Sequence, residues 1–150
     1  MISVHDYLAQ HGTGHEFEMT EEMQMEAESL CEKVNAMLEE FGETRALRSG
    51  WRPAAVNAAT PNAAHKSKHI TCQAMDIEDE DGRLKEWVFG TTNEEGEYLI
   101  LEKYELWAEY GVATGSWLHV QIVPPGSGKR VFFPNRNWKW QAEAHDRTQA

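Results

Sequence analysis

The chain has 150 residues, of which 41% are hydrophobic and 26% charged, and a formal net charge of -11. This length suits one domain around one core, and the ordinary apolar content argues against a disordered or membrane-embedded chain. The acidity opposes the basic stripe that a phosphate backbone requires, so neither nucleic acid nor an anionic membrane is expected as the main partner.

Residues 4–10 have helical potential, and Gly12-Thr13-Gly14 reads as a loop. Thr20 is placed to cap a helix with Glu21 and Glu22 in its first turn, and Gly42 is placed to end it. Between them Ala27, Leu30, Val34, Leu38 and Phe41 recur at spacings of three and four, an apolar stripe that leaves the glutamates outward. Residues 44–51 predict a short strand. Residues 52–68, rich in Pro, Asn, Ala and Thr, predict a long loop of the kind that is more often functional than idle. Over 73–77 the pattern alternates, with Met75 and Ile77 on one face and Ala74 and Asp76 on the other, before a turn at Asp81-Gly82.

Helix is expected over 84–89 and again over 98–110, where Leu99, Leu101, Leu106 and Trp107 supply apolar positions and Gly111 the stop. Residues 117–123 alternate strictly, with Leu118, Val120 and Ile122 on one face and Trp117, His119 and Gln121 on the other. Pro124-Pro125-Gly126 turns the chain, and 129–133 reads as a strand returning antiparallel to 117–123. The tail after Pro134 is polar apart from Trp138 and Trp140. This order predicts an α+β fold with a small antiparallel sheet flanked by helices.

Cys31, within the helical stripe, and Cys72 do not make a disulfide framework, so a reducing compartment is the simpler context. The start lacks a basic segment and a long apolar run, so synthesis in the cytoplasm without a signal peptide is expected, with no membrane span.

Two predicted strands each carry a metal-competent side chain on the polar face, Asp76 on one and His119 on the other. If these strands are neighbours, both side chains project into one cleft, and His69 on the entering loop reaches the same point. Two imidazoles and a carboxylate suit a catalytic zinc, whose fourth position stays open to water or substrate. From spacing alone, a lone His or Asp in a loop is more often hydrogen-bonded or solvated than metal-bound.

Ser67-Lys68-His69-Ile70-Thr71-Cys72-Gln73-Ala74-Met75-Asp76 resembles the Ser-x-His-x-x-Gly-x-Ala-x-Asp motif of zinc D-Ala-D-Ala carboxypeptidases. Ser49-Gly50-Trp51-Arg52-Pro53, followed by Asn57, resembles that family's Ser-Gly-Tyr-Arg opening, and Ser116-Trp117-Leu118-His119-Val120 its second, Trp-associated histidine motif. The ending Pro124-Pro125-Gly126-Ser127-Gly128-Lys129-Arg130-Val131-Phe132 is similar to that of phage-encoded members.

The resemblance implies a hedgehog-like, D-Ala-D-Ala peptidase-like domain over 1–150, with core motifs over 49–133 and a polar tail over 135–150. It implies Zn2+ held by His69, Asp76 and His119, and a substrate-facing Arg52 that grips a carboxylate or steadies an oxyanion. A surface salt bridge is the plainer role for Arg52. Ser67 either orients His69, touches substrate or caps a turn. The implied activity is amide hydrolysis in peptidoglycan stem peptides, as a carboxypeptidase or endopeptidase of the phage endolysin type. It would be exerted by a monomer at the cell wall or in a virion.

Two positions depart from the pattern. Cys72 stands where the family has glycine, and is expected to be a buried, inert thiol. Ser116 stands where many members carry a general-base carboxylate, and serine cannot replace it near neutral pH. Glu109, expected at a helix end before the 111–115 loop, is the candidate base, with His65 the next. The rival reading is a non-catalytic zinc-binding module, as in the hedgehog signalling domain of the wider fold family. For a phage-like protein that would mean a virion component that binds cell wall without cutting it.

Overall fold

A computed structural model describes residues 1–61 and 63–133. The expected polar tail over 135–150, with Trp138 and Trp140, lies outside the described residues.

Helix α1 (Val4–Gly12) begins where the Ser3 hydroxyl accepts from Asp6 N, and α2 (Glu21–Phe41) where Thr20 accepts from Met23 N. Gly42, at φ 90°, closes α2 in the left-handed conformation that glycine adopts without a Cβ penalty. The expected stripe is the buried one: Ala27, Leu30, Val34 and Leu38 are buried, and Phe41 packs against them.

The chain then forms β1 (Leu47–Ser49), α3 (Ala54–Ala59), β2 (Ala74–Glu78), α4 (Arg83–Gly90) and α5 (Leu99–Lys103). It continues through β3 (Trp107–Glu109), the single turn α6 (Gly111–Thr114), β4 (Trp117–Gln121) and β5 (Val131–Phe132). The five strands make one sheet in the order β1-β2-β4-β3-β5. Met75 pairs with Val120 and Ile77 with Leu118, so the two apolar faces coincide and join Leu30, Val34, Leu84, Val88 and Leu101 in the core. The α+β class with a helix-flanked sheet is as expected, and among the described residues no helix is long and apolar enough to cross a membrane.

Three expectations over local structure fail. The 52–68 stretch is not all loop, because Pro53 opens α3 over an alanine-rich segment that favours helix. Residues 98–110 are not one helix: Glu105, at φ 53°, breaks α5, and the chain continues as β3. Residues 129–133 do not form a hairpin with 117–123. Both edges of β4 are already taken by β2 and β3, so β5 pairs with the outer edge of β3, and pairs parallel.

Helix α1 clamps the segment leading from β1. The Gln10 amide donates to Arg48 O and accepts from Gly50 N, while Trp51 N donates to Tyr7 O. A Cβ on Gly50 would lie 2.4 Å from Tyr7 O, so this close approach requires glycine. Trp51, itself buried, donates from Nε1 to Ile70 O and ties down the loop that carries His69.

Candidate metal centre

The antiparallel register sets Asp76 directly across from His119, on the sheet face opposite the Met75 and Ile77 side chains. Ser49 pairs with Asp76 on one side. Trp107 pairs with Gln121 and Ala108 with Val120 on the other, and that register continued by one residue puts Glu109 beside His119. Glu109 in turn pairs with Phe132. One cross-strand row therefore carries Ser49, Asp76, His119, Glu109 and Phe132, and the Phe132 ring stands edge-on to His119 at 6.1 Å.

His69 enters this row from the loop before β2. Its Nδ1 lies 2.8 Å from Gly50 O, a pure acceptor, so Nδ1 carries a proton and Nε2 is the nitrogen turned towards the centre. That Nε2 points at Asp76 Oδ1 from 3.3 Å but outside hydrogen-bonding geometry, leaving a nitrogen on a 1% exposed residue without a hydrogen-bond partner. His119 Nδ1 is 2.8 Å from the same oxygen. Donor atoms of His69, Asp76 and His119 all lie within 4.8 Å of one another. An orphaned, buried imidazole nitrogen converging with a carboxylate and a second imidazole fits a metal ion, since such a nitrogen is otherwise costly.

Burial works to raise the Asp76 pKa, but the charge of His69 and the hydrogen bond and charge of His119 outweigh it and hold the carboxyl well below its usual range. Burial works to lower that of His119, yet its hydrogen bond with Asp76 and the charges of Asp76 and Glu109 outweigh burial and raise it to about 9.

Arg52 and Ser67 border the site. Arg52 N donates to His69 O at 3.1 Å, and its Nη2 donates to Ser67 Oγ at 3.3 Å. The same hydroxyl accepts from His69 N at 3.2 Å, so Ser67 joins the arginine to the backbone of the histidine. Glu109 is 8% exposed and sits on β3, not on a helix end as the sequence suggested, because its stretch is extended. The β3–β4 register, continued by one residue, places it beside His119. Cys31 and Cys72 are both free and buried, and burial pushes each thiol up to about 12.

His65 is exposed and outside the converging group. The histidine that sequence reasoning missed is His11 on α1, whose Nε2 is 3.2 Å from Ser49 Oγ. Burial, with the charges of Arg52 and His69, pushes its pKa down. Its only signal was position: four residues after the buried Tyr7, on the same helix face.

Three side chains that could ligate a metal and leave further coordination open, next to an arginine and a buried carboxylate, suit hydrolysis at a bound metal. No curated protein and no solved structure matches the chain. The Peptidase M15 family model matches residues 8–95, the greater part of the chain, which takes in Arg52, Ser67, His69 and Asp76. On the strength of that match, the chain belongs to the Peptidase M15 family, whose members are metallo-enzymes.

Proposed function

We propose that this protein is a zinc-dependent peptidase that hydrolyses amide bonds in peptidoglycan stem peptides, as a carboxypeptidase or endopeptidase. The observation that carries the proposal is the convergence of buried His69 with half-buried Asp76 and His119 in a member of this family, with His69 Nε2 left without a hydrogen-bond partner. Two imidazoles and one carboxylate suit zinc, which when bound would polarise the scissile carbonyl and acidify a water. The peptidoglycan substrate rests on the three motifs between Ser49 and Gln121, and the phage endolysin type on the ending that follows Pro124.

The chain's own residues then divide the work. Arg52, braced by Ser67, presents its guanidinium to the oxyanion or to the substrate carboxylate. Glu109, in the row beside His119, takes a proton from the attacking water and returns it to the leaving amine. Ser67 holds Arg52 and the His69 backbone in register with each other and lines the substrate cleft between them.

The test is incubation of the purified protein with peptidoglycan sacculi, with and without a chelator, followed by analysis of released D-alanine and cleaved cross-links. Zinc-dependent release is expected. A protein that holds zinc yet releases nothing would be a non-catalytic cell-wall-binding module, and the enzymatic proposal would fail.

A further inference from the structure

The two histidines of the centre turn different nitrogens towards Asp76, Nε2 from His69 and Nδ1 from His119. Each choice needs the other ring nitrogen to be held as a donor. For His69 a backbone carbonyl, Gly50 O, does this. For His119 the corresponding partner is a side chain: Nε2 lies 3.1 Å from Gln121 Oε1.

The amide of Gln121 is itself fixed. Its Nε2 donates to Val123 O at 2.9 Å, which leaves only the oxygen to face His119. Gln121 is 4% exposed, so bulk water does not compete for the imidazole N–H. His119 and Gln121 are two residues apart on one strand, on the same face, with β2 and β3 paired on either side. The chain His119, Gln121, Val123 O is thus built on the centre of the sheet. A neutral amide also suits this position, because it accepts the N–H without adding a third anion beside Asp76 and Glu109.

We propose that Gln121 is a positioning residue for the metal centre: its amide oxygen holds His119 with Nε2 protonated and so commits Nδ1 to the metal. This rests on the metal-binding role of His119 proposed above. Loss of an outer partner of this kind typically weakens metal affinity by about ten- to hundredfold.

The test compares the parent and Gln121→Met, a variant that keeps the side chain's length and removes its amide. Zinc affinity is measured by competition with a chromophoric chelator, and the imidazole nitrogens are assigned by long-range 15N NMR on the zinc-loaded protein. The parent should show His119 Nε2 protonated and slow to exchange, with Nδ1 bound to zinc. Gln121→Met should bind zinc about ten- to hundredfold more weakly, with a rapidly exchanging Nε2–H. The melting temperature of the metal-free variant should stay within a few degrees of the parent. Affinity within twofold of the parent would overturn the proposal, as would a parent spectrum with zinc on Nε2, which decides the matter even if the variant does not fold. Zinc binding by the parent with Gln121→Met unchanged removes only the role of Gln121, whereas a parent that binds no zinc removes the proposed function with it.

Discussion

The central β2–β4 pair and the β3–β5 edge belong to one sheet and border one site, but they are built differently. The central strands are five residues each, paired in register along their whole length, with buried apolar partners on one face and Asp76 against His119 on the other. At the edge, β3 has three residues and β5 two, joined in parallel. Two of the three candidate metal ligands, Asp76 and His119, are thus held by the better-supported half of the sheet, with His69 entering from the loop before β2, and the proposed base, Glu109, by the less supported half. Ligands must converge within tenths of an ångström, whereas a proton acceptor can work directly or through one water.

The strongest way to break this comparison is at its centre. His119→Ala should lose most of the approximately one equivalent of zinc expected per chain, and with it all hydrolysis. Metal analysis of protein purified without added zinc reads the outcome, and a full complement in the variant would end the ligand assignment. At the edge the effect should be purely kinetic. Glu109→Gln keeps shape and removes basicity, so zinc should stay while turnover falls by about two to four orders of magnitude. Cleavage at the parent rate would reject Glu109, and His11, beside Ser49 on the same row of the sheet, would be the next residue to test.

The same contrast explains which parts of the molecule were legible in the sequence. Alternation over 73–77 and 117–123 is long enough to have a period, so both strands and their apolar faces could be read from it, whereas the convergence of Asp76 with His119 needed the two strands to be neighbours, which the motif resemblance implied and the register shows. Helix α2 announces itself through Thr20, Gly42 and its stripe. A three-residue strand has no period to detect, and Leu106, Trp107 and Ala108 fit a helix as well until Glu105 adopts a left-handed conformation. The parallel pairing of β5 follows from the occupancy of both β4 edges, a property of the assembled sheet that local sequence does not carry. Gln121 lay in plain view on the polar face with His119. Its role needed the Val123 carbonyl to orient it.

Arg52 sharpens the comparison from outside the sheet. Its backbone amide, bonded to His69 O, survives any substitution except proline, so the loop should keep its shape in Arg52→Ala. The guanidinium and its bond to Ser67 go. Turnover should fall by about a hundredfold or more, the scale for one oxyanion donor, while the melting temperature moves by no more than a few degrees. Unchanged turnover would reduce Arg52 to a brace for Ser67.

The smallest effect should come from Cys72, which stands before β2 where the family's motif has glycine. Its φ of 62° lies in the left-handed region, which explains glycine in the motif by conformation more than by space, since the buried thiol is accommodated among core residues. A Cβ in that region costs about 1–2 kcal/mol. Cys72→Ala removes the sulfur and keeps this cost. Cys72→Gly also removes the Cβ, forgoing about 0.8 kcal/mol of burial but relieving the backbone. Cys72→Gly should therefore equal or exceed Cys72→Ala in stability, by up to about 1 kcal/mol, as read from their denaturant midpoints. An alanine variant clearly more stable than the glycine one would show that packing around Cβ outweighs the backbone, and that the left-handed turn before β2 is held by the core it points into.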